Sequence, residues 1–408
     1  MFSKLFFPTR LLCGVALGMG LAHAALAADD IACSTAVPTP QKVSRTVLDY
    51  NGNPQTHTFW TAQDYCYGDA QDWYEPAPTL GRLVQRADLW YPTSDINVVR
   101  PLIIWTHPTG MTEDFRAAKN APYEESTIFQ SVLVPAMQAG YAVASLQFRH
   151  PTASYDPAHP TDLPGNTDIR DAVQYLKYHA AELHIDPANV FLVGQSRGTL
   201  NMLWAIRPDA AASVPGKPWR AESSTVRAVW DYQAQSCYKK AKVKKTFILP
   251  EDYSAYVNDP DNYNLPDSYD AGCALEDVQA ATSGATLPPI RVMYDEEPIS
   301  HGSVTLQHWC SDNSDTNCRA QYPRPGTVWA DYFDLHDANF GVALSAAYQA
   351  KGSGDVACHG VAKKYDHKSR PYNGYANFTH FFDLYHYPSA LPTGYVPDCP
   401  VVAHPTGE

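Results

Sequence analysis

Two periodicities alternate along the chain. Leu102-Ile103-Ile104-Trp105-Thr106, Tyr141-Ala142-Val143-Ala144-Ser145-Leu146 and Val190-Phe191-Leu192-Val193 are short, nearly unbroken apolar runs. Such runs lie buried on both faces of a parallel sheet. Between the second and the third the spacing changes: Ile169, Ala172, Val173, Leu176, Ala180 and Leu183 recur at three and four residues. That period predicts an amphipathic helix, with Thr167 or Asp168 capping its start and Asp186-Pro187 turning the chain out of it. Further strands are expected at 86–92, 226–230, 290–294 and 359–365. Helices are expected at 199–206, stopped by Pro208, at 342–350, closed by Gly352, and at 378–385. Near the start, 45–50 and 56–60 flank Asn51-Gly52-Asn53-Pro54, the pattern of a hairpin. Strands alternating with helices predict an α/β protein with a mostly parallel central sheet and helices on both faces.

No repeat and no low-complexity linker marks a boundary, so 28–408 reads as one domain. Two stretches, 237–287 and 300–330, are irregular, aromatic and proline-bearing, and read as loop insertions forming a lid over one end of the sheet. Their aromatic residues either line a pocket or supply core to loops with few aliphatics. Residues 1–27 have a different character. Lys4 and Arg10 precede an apolar run at 11–22 and two small-x-small sites ending at Ala24 and Ala27. That is the layout of a secretory signal peptide, and it predicts a secreted or periplasmic protein. The apolar run is shorter than the ~20 residues of a membrane span.

Cysteine usage agrees with export. Of nine cysteines, Cys13 leaves with the leader, and the remaining eight read as four disulfides. Cys310 and Cys318 bracket a polar loop; Cys33–Cys66, Cys237–Cys273 and Cys358–Cys399 are pairings suggested by proximity in sequence. None has the CxxC or CxxH spacing of a zinc site, so no metal is expected. Acidic residues number 43 against 30 basic ones, a net charge of −13. A surface this negative repels nucleic acid and anionic lipid, which removes both as partners. The lysine-rich stretch 239–245 reads as a solvated face against that background.

The chemistry concentrates at Gly194-Gln195-Ser196-Arg197-Gly198, a G-x-S-x-G pattern. Alone the pattern is common, but here a buried strand precedes it and a helix comes after it. A turn that tight needs flanking residues without bulk, and it lifts the serine hydroxyl clear of the sheet. The helix then points its positive end, with the Arg197 N–H, at any oxyanion forming there. Ser196 is therefore the candidate nucleophile.

Here the chain resembles the α/β-hydrolase superfamily, particularly its secreted serine esterases. The resemblance runs over about 89–387. It rests on Leu89-Trp90-Tyr91-Pro92, on 101–110, on the helix ending in Ile185-Asp186-Pro187, on the elbow, and on the order of the acids and histidines downstream of the elbow. In that family the loop after the early apolar strand reads His-Gly-Gly-Gly and gives the second oxyanion donor. This chain has His107-Pro108-Thr109-Gly110 instead. Pro108 has no N–H, so the donors implied are Thr109, Gly110 or Met111, and His107 is read as a structural histidine pinning its loop.

A serine hydroxyl needs an imidazole to take its proton and a carboxylate to orient that imidazole. The family's order is serine, acid, histidine. The resemblance implies an acid in the loop leading to the helix that Gly352 closes. Asp334 fits best, with Asp337 and then Glu296 as alternatives. The base should lie on the loop after the last strand and before the closing helix; His367 comes first, His380 second and His359 third. The expectation is a monomeric serine hydrolase that needs no cofactor and cleaves small-molecule or polymeric carboxylic esters through an acyl-enzyme. A serine peptidase of the same fold and a catalytically inactive binding protein remain the rivals.

Overall fold

The computed structural model describes residues 36–48, 53–68, 85–108, 128–149, 164–237, 272–294, 339–352, 358–361 and 378–386. The strands are β1 (Gln41–Leu48), β2 (Pro54–Cys66), β3 (Arg86–Tyr91), β4 (Arg100–Thr106), β5 (Ala142–Gln147), β6 (Ile185–Gln195), β7 (Ala228–Tyr232), β8 (Ile290–Tyr294) and β9 (Cys358–Val361). The helices are α1 (Val134–Gln138, continuing a π-helical turn at Phe129–Leu133), α2 (Pro164–Tyr178), α3 (Leu200–Ala205), α4 (Ala274–Ala280), α5 (Asn339–Ala350) and α6 (Phe378–His386).

All nine strands form one sheet in the order β1-β2-β3-β5-β4-β6-β7-β8-β9. The expected hairpin is the β1–β2 pair, and with β3 it makes an antiparallel flank. From β5 through β9 every pairing is parallel. This is the α/β-hydrolase fold, with the mostly parallel sheet the apolar runs imply.

The apolar runs are continuous because their alternate residues feed two cores. Leu102, Ile104, Val190, Leu192 and Val229 pack under α2, α3, α4 and α5. Their neighbours Ile103, Trp105, Phe191, Val193 and Trp230 pack on the opposite face, under α1 and α6. On that second face Phe382 meets Phe191 at 4.7 Å and Phe381 meets Trp230 at 5.7 Å between ring centroids. Tyr141 adds a buried hydrogen bond, its hydroxyl donating to Asp383 Oδ1 at 2.7 Å.

Helix α2 starts earlier than its apolar period suggests, and Asp168 does not cap it. The Asp168 carboxylate is fully buried in the second turn. It accepts the Arg149 backbone N–H at 2.8 Å, the Arg149 guanidinium, and the Gln85 amide at 2.7 Å. Buried charges persist when they are paired in this way, and this pair ties β3, the end of β5 and α2 together. The segment 272–287, read from sequence as part of an insertion, carries α4, whose Ala274, Leu275 and Val278 are buried.

Cys237 and Cys273 form a disulfide, 36 residues apart in sequence with Cα atoms 3.9 Å apart. Cys66 is also disulfide-bonded. The expected leader at 1–27, the stretches 238–271 and 300–330 read as insertions, and the remaining expected cysteine pairings lie outside the described residues. No helix among the described residues is long and apolar enough to cross a membrane.

Candidate active site

Strand β6 delivers the chain to Gln195 in extended conformation, φ −136° and ψ 135°. At Ser196 φ becomes +50°, a region that costs a non-glycine residue strain unless the surroundings hold it there. A 3-10 turn, Ser196–Thr199, leads directly into α3.

Both flanking glycines are required by what touches them. A Cβ at Gly198 would stand 2.0 Å from the Thr106 carbonyl oxygen and 2.8 Å from that of His107. The turn therefore lies against the end of β4. A Cβ at Gly194 would stand 2.6 Å from Asp231 Oδ1, 2.8 Å from Asn201 Nδ2 and 2.8 Å from the Gly198 carbonyl oxygen. The G-x-S-x-G spacing is thus a packing requirement of this bend.

Three side chains brace the turn. The Thr106 hydroxyl is shared between the carbonyls of Gly198, at 2.7 Å, and Val193, at 3.3 Å, while Asn201 Nδ2 donates to it at 3.0 Å. The Thr199 hydroxyl donates to the Ser196 carbonyl at 2.5 Å and accepts the Gln235 N–H at 3.2 Å. Gln235 belongs to the segment after β7, where the Tyr294 hydroxyl donates to the Ala234 carbonyl at 2.8 Å. The Ser196 backbone is thereby fastened to β4, α3 and the β7 exit.

His107 directly follows β4, beside this turn. Its ring is buried, stacks on Phe148 at 4.4 Å, and places Nδ1 2.6 Å from the Pro108 carbonyl oxygen. These contacts suit a histidine that pins its loop.

Of the residues singled out from sequence, Ser196 and Arg197 come together at the elbow, both buried. Thr109, Gly110, Glu296, Asp334, Asp337 and His367 lie outside the described residues. His359 is placed by its backbone alone, in β9 opposite Val292 of β8. His380 sits half-buried on α6, between Phe378 and Phe381, which anchor that helix to the core. The described elements also bound the rest in sequence. Glu296, Asp334 and Asp337 fall between β8 and α5, and His367 falls between β9 and α6.

Three more residues shape the elbow without belonging to any sequence motif: Thr106, Asn201 and Asp231. Asp231 had a signal, an acid within an otherwise apolar strand. Burial drives its carboxyl pKa well above the ordinary value. The Asn201 amide and the Gly194 N–H oppose that rise without reaching hydrogen-bond geometry.

Residues 87–244 match the family model BD-FAE. No curated protein matches the chain. Among solved structures, a truncated carbohydrate esterase from gut microbiota is 14% identical over 80% of this chain and 95% of its own, with a TM-score of 0.44. The acetyl ester-xyloside bifunctional hydrolase from Caldicellulosiruptor lactoaceticus is 13% identical over 86% of this chain and 94% of its own, also at 0.44. An esterase from Thermogutta terrifontis is 13% identical over 74% and 80%, at 0.40. The matched segment contains β4, β5, β6, β7 and the Ser196 elbow, and this match supports a carboxylic ester hydrolase.

Proposed function

We propose that the protein is a secreted serine esterase in which Ser196 is the nucleophile, His367 the general base and Asp334 the carboxylate that orients His367. The observation that carries this reading is the Ser196 backbone, held at φ +50° between two glycines that have no room for a side chain. A chain adopts such a bend only when the fold over-determines it, and the product is a hydroxyl presented at the C-terminal edge of a parallel sheet. Asp337 and Glu296 remain the alternative acids, and His380 and His359 the alternative bases.

The reaction then runs in two halves. His367 takes the Ser196 proton as Oγ attacks the ester carbonyl carbon, and the carbonyl oxygen becomes an oxyanion. The N–H of Arg197, together with that of Thr109 or Gly110, stabilises that oxyanion; removing one such donor costs roughly 3–4 kcal/mol. The carbon–oxygen bond to the alcohol breaks as His367 returns the proton to the leaving oxygen. Water, deprotonated by the same imidazole, releases the acid from the acyl-serine. Export through the 1–27 leader is part of the proposal, and the Cys237–Cys273 disulfide fits an oxidising compartment.

Labelling with a fluorophosphonate probe tests the nucleophile. The wild type should label and Ser196→Ala should not; labelling that survives the substitution overturns the assignment. A panel of p-nitrophenyl esters of rising acyl length, run beside a peptide, tests the bond cleaved, and turnover of the peptide alone would replace esterase with peptidase. Comparing His367→Ala with His380→Ala and His359→Ala tests the base. The true base should lose on the order of 10⁴-fold or more in kcat.

A further inference from the structure

Thr106, Gly194 and Asp231 form a row across three adjacent parallel strands, with Thr106 beside Gly194 and Gly194 beside Asp231. Two residues earlier in each strand, Ile104, Leu192 and Val229 pack into the core beneath the helices of the α3 face. Strand alternation puts the row on that same face, where another apolar layer would be expected. The row is polar instead, and Asn201 from the first turn of α3 meets it.

Asp231 is the unusual member. Its side chain has no exposure, and it has no part in the serine–acid–histidine relay. Among the described residues neither carboxyl oxygen has a hydrogen-bond partner, and neither does Asn201 Oδ1. Gly194 shows how close these groups lie to the elbow, since its missing side chain is what leaves space for Asp231 Oδ1 and Asn201 Nδ2.

We propose that Asp231 is a positioning residue for Ser196: its carboxyl fills the hollow left by Gly194 and holds the Asn201 amide, which in turn holds Thr106 and the Gly198 carbonyl. The proposal deepens the reading of Ser196 as nucleophile and rests on it. The neutral acid suits the task. Burial favours that form, and its carbonyl oxygen remains an acceptor for Asn201 Nδ2, which borders the same hollow. A carboxylate there would be a buried charge without a partner. It would also put negative charge behind the turn at which the oxyanion develops, opposing catalysis.

The test compares Asp231→Ala with Asp231→Asn in the full protein. The readouts are the rate of fluorophosphonate labelling and kcat and KM for p-nitrophenyl acetate. Alanine should lower both the labelling rate and kcat by about tenfold or more, as misplacement of a reacting group does, with KM little changed. Asparagine keeps the shape and a carbonyl acceptor and should restore most of the rate. A folded Asp231→Ala protein that labels at the wild-type rate overturns the proposal, as does an Asp231→Asn protein as slow as the alanine variant. If the alanine variant does not fold, Asn201→Ala carries the same prediction through the intermediate residue, and a wild-type labelling rate there overturns the proposal equally. A wild type that never labels at Ser196 is a different result, since it removes the nucleophile itself.

Discussion

On one face of the sheet β7 presents Trp230, edge-on to Phe381 and covered by the guanidinium of Arg291 5.0 Å from its ring. One residue later, on the other face, it presents Asp231 to α3. The first side is an ordinary aromatic core, whose contribution comes from area removed from water. The second side gives up burial energy at the place where the backbone must be held in an unfavourable conformation. Polar groups are directional and apolar ones are not, so the face that has to fix a bend uses hydroxyl, amide and carboxyl. The face that only has to hold the sheet together uses rings.

Substitutions on the two faces should therefore fail in different ways. Trp230→Ala should cost the most stability, about 3–5 kcal/mol as for other large core truncations, measured by urea unfolding. Below its transition the folded fraction should still label at Ser196 at close to the wild-type rate. Gly198→Ala should reverse that balance. Its Cβ would collide with backbone oxygens of β4, so the turn must shift, and labelling should slow by roughly a hundredfold with a smaller stability loss of about 1–3 kcal/mol. If Trp230→Ala slows labelling as much as Gly198→Ala does, the division of labour between the faces is wrong.

Thr106→Val keeps the shape but removes the hydroxyl. It leaves the Gly198 carbonyl and the Asn201 amide without their partner, at about 1–3 kcal/mol, measured by thermal unfolding. The most selective effect belongs to Asp231→Asn. The folded carboxyl holds its proton well above the ordinary value of 3.8. Above about pH 4 the unfolded chain therefore gains by ionising while the folded chain does not. That contribution to stability is complete below pH 4 and declines as pH rises toward the folded pKa. Asparagine lacks the decline, so the stability of Asp231→Asn relative to wild type should rise from pH 4 to 8 in matched thermal melts. A flat difference would mean that the carboxyl is ionised in the folded protein.

Local pattern showed where strands and helices lie, and it failed where a distant contact decides. The run 290–294 is β8 as expected, its residues apolar or aromatic apart from Arg291. The strand expected at 226–230 sits at Ala228–Tyr232; an acid at 231 disguised its last two residues. Asp168 resembled a cap because nothing nearby in sequence announces Arg149 or Gln85 as its partners. The turns at 129–138 have no counterpart among the expected helices, and Pro135 is accommodated in the first turn of α1. At the site, G-x-S-x-G marked the bend, but of its braces Thr106 and Gln235 come from distant segments, and Asn201, just past the motif in α3, carries no motif of its own.

The disulfide at Cys237 and Cys273 has a consequence for how this scaffold can be altered. Both ends of the excursion 238–272 are fixed at one point of the body. On one side Ser236 is bonded to the Phe340 carbonyl; on the other α4 is packed in the core. Closing a loop of that length removes roughly 4 kcal/mol of unfolded-chain entropy, and the stretch leaves and re-enters at adjacent positions. A cassette of different length or composition spliced between these two sulfurs would meet unchanged anchors. The elements around Ser196 are anchored independently of that stretch.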